Sequence, residues 1–417
     1  MKDSLSQRGR ALVKDMSPLM HADFSTRGDQ YHPEKNPHGH INMGTAETHL
    51  INDEVIGLLR VLQARMPLIP KTLHYDYFHG SEEFRTAIAG YWGRLALGDS
   101  RALTADNVVA GAGCSLALEM LATMLGDPGD VFLIPAPYYS GFVDDIRDRA
   151  GVEPVGVHCA DTLDRDALDA AWEEQVAAGK RIKAVLFSSP NNPTGRVYGA
   201  EAMRGLIRFC MDKDIDLISD EIYAQTIHDP ETRWVSTLSL VPDGYKTRVH
   251  ATSSFAKDFA LSGFRTGFAM SFNQDMLKGM RGLAYYSAVS THTQALLTEL
   301  LGAPELPAIL KKNRETLREA YRLMERCLRE MDIPVMPAQG GIFVFADFSS
   351  YMDSAGFDAE YRLWETIHKE LRVNISPGRL FDAPAPGWFR ICFAHPRSIV
   401  EEACRRLRSL KTKTAEH

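Results

Sequence analysis

Between about residues 100 and 270, short apolar runs alternate with stretches of helical periodicity. The runs are VVA (108–110), VFLIP (131–135), KAVLFSS (183–189), IDLIS (215–219), RVHATSS (248–254) and GFAMS (267–271). Most are β-branched or aromatic, nearly continuous, and followed by turn residues. Strands covered on both faces read this way, so the pattern predicts a mostly parallel sheet in an α/β fold. A longer helical pattern covers about 305–331, with Leu306, Ile309, Leu310, Leu317, Tyr321, Met324 and Leu328 near one face. Past it, GIFVFAD (341–347) and WFRICF (388–393) flank a helical stretch and predict a smaller α+β domain. The first 50 residues are rich in Gly, Pro, His and Asn and predict an irregular arm. The expected plan is residues 1–65 as arm and part of the small domain, 66–304 as the large domain, and 305–417 as connecting helix and small domain.

Composition narrows the function classes. A chain of 417 residues, 45% of them hydrophobic, suits two domains better than one. The net charge of -7 is spread along the chain with no basic block, so neither nucleic acid nor a membrane surface is expected as a partner. The six cysteines form no CxxC pair, so no metal site and no disulfide framework is expected. A reducing, cytoplasmic setting follows from the same usage. The N-terminus has no sustained apolar run and predicts no signal peptide. No stretch reaches the roughly 20 apolar residues of a membrane span.

The candidate chemistry follows the strands. In SSFAKDFALSGFRTGF (253–268) one loop offers a hydroxyl, an amine and a guanidinium. Pyridoxal 5′-phosphate (PLP) needs that set: Lys257 for a Schiff base, Ser254 and Arg265 for the phosphate. The plain alternative is a surface lysine with a salt-bridged arginine. In ISDEIYA (218–224), Asp220 follows a buried strand and is suited to protonate a pyridine nitrogen, and Tyr223 to bond the ring oxygen. The alternative is a helix-capping Asp. In SSPNNPTGRVYG (188–199), Asn192 offers its amide to the same oxygen, and a plain loop is the alternative. GAGCSLALE (111–119) starts a helix with small residues, so Gly113, Cys114 and Ser115 suit a phosphate. Tyr139 is positioned to stack on the cofactor ring, or is an ordinary core aromatic. Arg390 sits inside an apolar strand, where a substrate carboxylate or an internal salt bridge would be its partner.

With these residues in view, the chain resembles fold-type I PLP enzymes of the class I/II aminotransferase superfamily, closest to the 1-aminocyclopropane-1-carboxylate (ACC) synthase branch. The resemblance covers about residues 30–405. NNPTG, DEIY and SxxK…GxR are its superfamily motifs. NPHGHINMGTAETHL (36–50), DPGDVFLIPAPYYSGF (127–142) and NISPGRLFDAPAPGWFRICFAH (374–395) are its branch-level segments. The resemblance implies an aspartate aminotransferase-like fold and a homodimer with shared active sites. It also implies that Lys257 removes the α-proton, and that Glu47 stands near the sulfonium of S-adenosylmethionine (SAM). The chain departs from the branch in three ways. Phe78, next to Tyr77, lies where a tyrosine usually precedes His-Gly. Ala256 replaces a second serine, and RLFD (379–382) carries a charge pair where small polar residues are common. All three touch the substrate side or its surroundings.

The resulting expectation is α-proton abstraction from an α-amino acid, SAM in the first place, with methylthioadenosine lost from Cγ. The four-carbon unit would then cyclise, eliminate, or join a second substrate. The alternatives are an ordinary class I/II aminotransferase and a catalytically inactive PLP-fold binding or regulatory protein.

Overall fold

The computed structural model describes residues 4–159 and 163–414. A seven-stranded sheet runs in the order Val108–Gly111, Gly267–Met270, Val249–Ser254, Asp216–Asp220, Ile182–Ser188, Val131–Ala136, Glu153–His158. Gly267–Met270 is antiparallel to both neighbours, and the remaining pairings are parallel. Every residue of the strands Val131–Ala136, Asp216–Asp220 and Val249–Ser254 is buried. That is why Val131–Ala136 is apolar throughout, and why the polar residues of the other two are paired inside, His250 with Asp216 and Thr252 with Asp220.

The sheet matches the apolar runs, with one addition. Glu153–His158 (EPVGVH) did not read as a strand. It contains Pro154 and Gly156 and is only partly buried. An edge strand tolerates both residues, because one side of it makes no ladder bonds.

The long helix spans Leu306–Glu330 and buries Leu306, Leu310, Leu317, Met324 and Leu328. Its first half joins the core beneath the large sheet, and its second half joins another core. The second core packs around an antiparallel sheet of Ser376–Pro377, Trp388–Cys392 and Phe343–Asp347. The helix Phe357–Lys369 lies between the two longer strands in sequence. The arm is more regular than its composition suggests. It holds helices Gln7–Ala11 and Pro18–Thr26, each capped by a serine side chain, Ser6 and Ser17. Ile41–Asn42 pairs in parallel with Val373–Asn374, which ties the arm to the second core. Helix Asn52–Arg65 instead buries Val55, Leu58 and Leu62 in the first core.

Candidate active site

The parallel strands all end at one edge of the sheet, and the candidate residues sit there. Gly113 follows Val108–Gly111, Tyr139 follows Val131–Ala136, and Asn192 follows Ile182–Ser188. Asp220 and Ser254 are the last residues of their strands. Arg265 precedes the antiparallel strand, so it reaches the same edge. Such an edge is where open α/β sheets bind ligands. A cavity of about 140 Å³ lies against it. Gly113, Cys114, Ser115, Tyr139, Asn192, Asp220, Tyr223, Ser254, Lys257 and Arg265 all line it.

Local geometry suits each group to a charged planar ligand. Gly113 has φ +96° and caps the helix Cys114–Leu125, so backbone N–H groups at that helix start are open. A Cβ there would lie 2.7 Å from Arg265 Nη2, so the glycine and the guanidinium form one cradle. Ser254 Oγ accepts from Ala256 N–H at 3.1 Å, which leaves its own proton to donate. Asp220 is buried and accepts from Cys114 Sγ at 3.5 Å and Thr252 Oγ1 at 3.2 Å. Burial pushes its pKa up to about 6, against those hydrogen bonds. A cationic ring nitrogen beside it would restore full ionisation. Burial lowers the Lys257 pKa to about 8, partly offset by the Glu47 carboxylate. Lys257 Nζ donates to the Ala46 carbonyl at 2.5 Å. An amine, an interior carboxylate and an anion cradle in one cavity fit PLP.

The substrate-side residues are dispersed. Arg390 is buried between the rings of Phe343 and Phe381, 4.6 and 4.7 Å from their centroids. Its Nη1 donates to Asn192 Oδ1 at 2.9 Å and its Nη2 to the Gly44 carbonyl at 2.5 Å, while Nε is buried without a partner. No internal salt bridge holds Arg390 among the described residues. Glu47 lines a different, neighbouring cavity of about 530 Å³. Tyr77 and Phe78 are not brought to the Lys257 cavity within one chain. Tyr77 is exposed, and Phe78 packs edge-on against Tyr285 at 4.8 Å.

Three contributors escaped the motifs. The carbonyls of Ala46 and Gly44 act through the backbone, so no side-chain pattern marks them. Asp145 lines the cavity, and its spacing did carry a signal: Phe142, Asp145 and Ile146 fall on one helical face.

Residues 58–407 match the family described as Aminotransferase class I and II. 1-Aminocyclopropane-1-carboxylate synthase 1 of Cucurbita pepo is 32% identical over 397 residues, 91% of this chain and 80% of that protein. 1-Aminocyclopropane-1-carboxylate synthase 1 of Oryza sativa subsp. indica is 35% identical over 402 residues, 91% and 82% of the two chains. Aspartate aminotransferase from Thermus thermophilus, solved with maleate, shares the fold with a TM-score of 0.81 at 24% identity, across 98% of this chain and 100% of that one. The chain thus belongs to the class I and II aminotransferase family, as a PLP-dependent enzyme of fold type I near the ACC synthases.

Proposed function

We propose that the enzyme acts on SAM, removing its α-proton and releasing methylthioadenosine from Cγ. The four-carbon unit then closes to a cyclopropane, eliminates, or is joined to a second substrate. The observation that carries this is the position of Glu47. Among the charged groups around Lys257 its carboxylate exerts the strongest pull. It also opens into the cavity of about 530 Å³, lined in addition by Asp23, Tyr31, Asn42, Thr45 and His395. A carboxylate at the edge of a roomy polar cavity suits a sulfonium that carries a nucleoside. The relatives named as ACC synthases support the same substrate class.

The chain's own residues bind, orient and move protons. Gly113, Cys114 and Ser115, with Ser254 and Arg265, hold the phosphate. Asp220 would keep the ring nitrogen charged, Asn192 and Tyr223 would donate to the ring oxygen, and Tyr139 would cover the ring face. Bound PLP supplies an aldehyde for the substrate amine and a ring that spreads the charge left when Cα loses its proton. Lys257 Nζ takes that proton, and its pKa of about 8 leaves a useful neutral fraction near physiological pH. Arg390 offers its free Nε to the substrate α-carboxylate, in a slot that Phe343 and Phe381 keep dry.

A homodimer with shared sites completes this reading. Tyr75, Phe78, Tyr285 and Tyr286 form a connected aromatic patch, with Tyr75 94% and Tyr286 74% exposed. Exposed patches of this kind mark interfaces, and Tyr77 and Phe78 would serve the partner's site. The same reading divides the chain into a large domain around the seven-stranded sheet, with helix Asn52–Arg65 included, and a smaller one around Phe343–Asp347.

Incubation with SAM followed by mass analysis tests the proposal. Methylthioadenosine release is expected. No release, with or without candidate co-substrates, would overturn it. Conversion of the cofactor to pyridoxamine phosphate by plain amino acids would instead mark an aminotransferase.

A further inference from the structure

A second cavity, of about 880 Å³, stands apart from Lys257. Helix Glu82–Leu97, the segment 100–106 and helix Gln274–Leu283 contribute its wall. It shares no lining residue with the Lys257 cavity. Four arginines line it, Arg85, Arg94, Arg101 and Arg281, against two carboxylates, Glu82 and Asp106. The whole chain carries a net charge of -7, so a cationic wall runs against the rest of the molecule. Compensation within it is thin. Arg101 and Asp99 meet at 3.5 Å, both exposed. Arg94 and Glu82 form no ion pair among the described residues.

The inner pair is the most telling. The Arg85 side chain is only 7% exposed. Its Nε donates to the Gly80 carbonyl at 3.0 Å and its Nη1 to the Ala105 carbonyl. Those bonds fix the guanidinium without bringing a negative charge. Arg281 Nη2 donates to the Asp106 carbonyl at 3.0 Å, and its Nε is buried without a partner. A single oxygen, Asp106 Oδ1, lies 3.9 Å from Arg85 Nη1 and 3.4 Å from Arg281 Nη2. That side chain is 76% exposed, so water screens it. Two guanidiniums thus share one weak counter-charge. Burial and then the same two arginines lower the pKa of His79, beside them, to about 4. A bound anion would offset this uncompensated charge. Arg85 Nη2 and Arg281 Nη1 are left for it: neither has a hydrogen-bond partner among the described residues, and neither is sealed from solvent.

We propose that this cavity binds a small phosphorylated molecule, with one phosphoryl group bridging Arg85 and Arg281. Asp106 Oδ1 already shows that an anionic oxygen can stand between the two. A phosphoryl group brings more oxygens and more charge, and guanidinium forks match it. The volume is that of a small-molecule pocket. The net negative charge of the chain disfavours an extended nucleic acid in the same place.

Calorimetric titration of the PLP-loaded holoenzyme with pyrophosphate tests this, at an ionic strength held constant with NaCl. Bound PLP keeps its own phosphate cradle occupied. One saturable site per subunit is expected. Arg281→Gln should weaken binding about tenfold, because a charge-assisted contact is lost. Asp106→Asn should tighten it about threefold, because the carboxylate that competes with the ligand is gone. Opposite signs from two adjoining positions mark a binding site, since damage to a merely structural contact can only weaken it. The absence of saturable binding at millimolar pyrophosphate would overturn the proposal, and that is the result if the partner subunit fills the cavity. Equal affinity in the parent and both variants would overturn it as well, because pyrophosphate would then sit elsewhere. Should Arg281→Gln fail to fold, Asp106→Asn decides alone: unchanged or weaker binding there rejects the site.

Discussion

The two sides of the active site are built differently. The cofactor wall comes from strand ends of a single sheet. Gly113, Tyr139, Asn192, Asp220 and Ser254 all lie within four residues of a strand terminus, and they meet in one cavity. The proposed substrate side is gathered from afar: Glu47 and the Gly44 carbonyl from the arm, Arg390 from the three-stranded sheet, and Tyr77 and Phe78 from a surface loop. A sheet edge fixes its groups together, so cofactor binding tolerates little change. Separate segments can be altered one at a time; Phe78 and the RLFD segment depart on that second side, whereas Ala256 lines the cofactor cavity itself. Asn192 joins the two, since its Oδ1 holds Arg390 while its Nδ2 stays free for the cofactor.

The largest effect should come from the cofactor wall. Lys257→Ala removes both the covalent anchor and the base. Turnover should drop by at least about a thousandfold, and the visible absorbance of the bound cofactor should vanish. Turnover that survived would break the comparison outright. Arg390→Lys should act on the other side alone. Lysine keeps the charge but loses the planar fork, so KM for the substrate should rise by roughly 10- to 100-fold while the bound-cofactor spectrum persists. Steady-state kinetics with parallel spectra separate the two outcomes. A lost spectrum would mean that the Asn192 link makes the two sides one unit.

The legibility of the sequence follows the same division. The central strands are short, β-branched or aromatic runs followed by turn residues, so their ends, and the residues just past them, could be located from sequence alone. Lys257, Asp220 and Asn192 all follow such strands, and all three line one cavity. Glu153–His158 is not legible in this way, because Pro154 and Gly156 break the pattern on an edge strand that needs no full ladder. Asp145 is marked only by sharing a helical face with Phe142 and Ile146, a weak signal for one acid on a seven-residue helix. The carbonyls of Ala46 and Gly44 have no sequence signature at all. Arg390 was visible as a charge in an apolar strand, but its two flanking rings, Phe343 and Phe381, are 47 and 9 residues away in sequence. Such contacts belong to tertiary packing.

Glu47→Gln should be milder and should sharpen the boundary between the sides. Its carboxylate favours the charged form of Lys257, so removing it lowers the Lys257 pKa below about 8. In the cofactor-free protein only the neutral amine attacks PLP. The rate of cofactor attachment should therefore rise with pH through a midpoint near 8 in the parent and through a lower midpoint in Glu47→Gln. With SAM, kcat/KM should fall by about tenfold, roughly 1.4 kcal/mol, while plain amino acids are little affected. Equal losses on both kinds of substrate would separate Glu47 from the sulfonium.

The smallest effect is expected where the two sides touch. Asp382 has φ +53° and lies over the edge strand, with Oδ1 at 3.7 Å from His158 Nε2. Gly156 makes room for it, since a Cβ there would run into the Asp382 carboxylate. Next to it the Tyr138 N–H donates to the Phe381 carbonyl at 3.0 Å, and the Phe381 ring covers Arg390. The junction therefore has the His158–Asp382 contact on its outside and a backbone bond within. Both charged side chains are about half exposed, so the pair is worth no more than about 1 kcal/mol. Asp382→Asn should shift the melting temperature by less than about 2 °C and leave KM within about twofold. Gly156→Ala, which forces the Asp382 carboxylate off the strand, should cost more and raise KM through Phe381 and Arg390. If Asp382→Asn alone raised KM as far as Arg390→Lys does, the Asp382 carboxylate would itself be part of the substrate grip, and the backbone bond would be secondary.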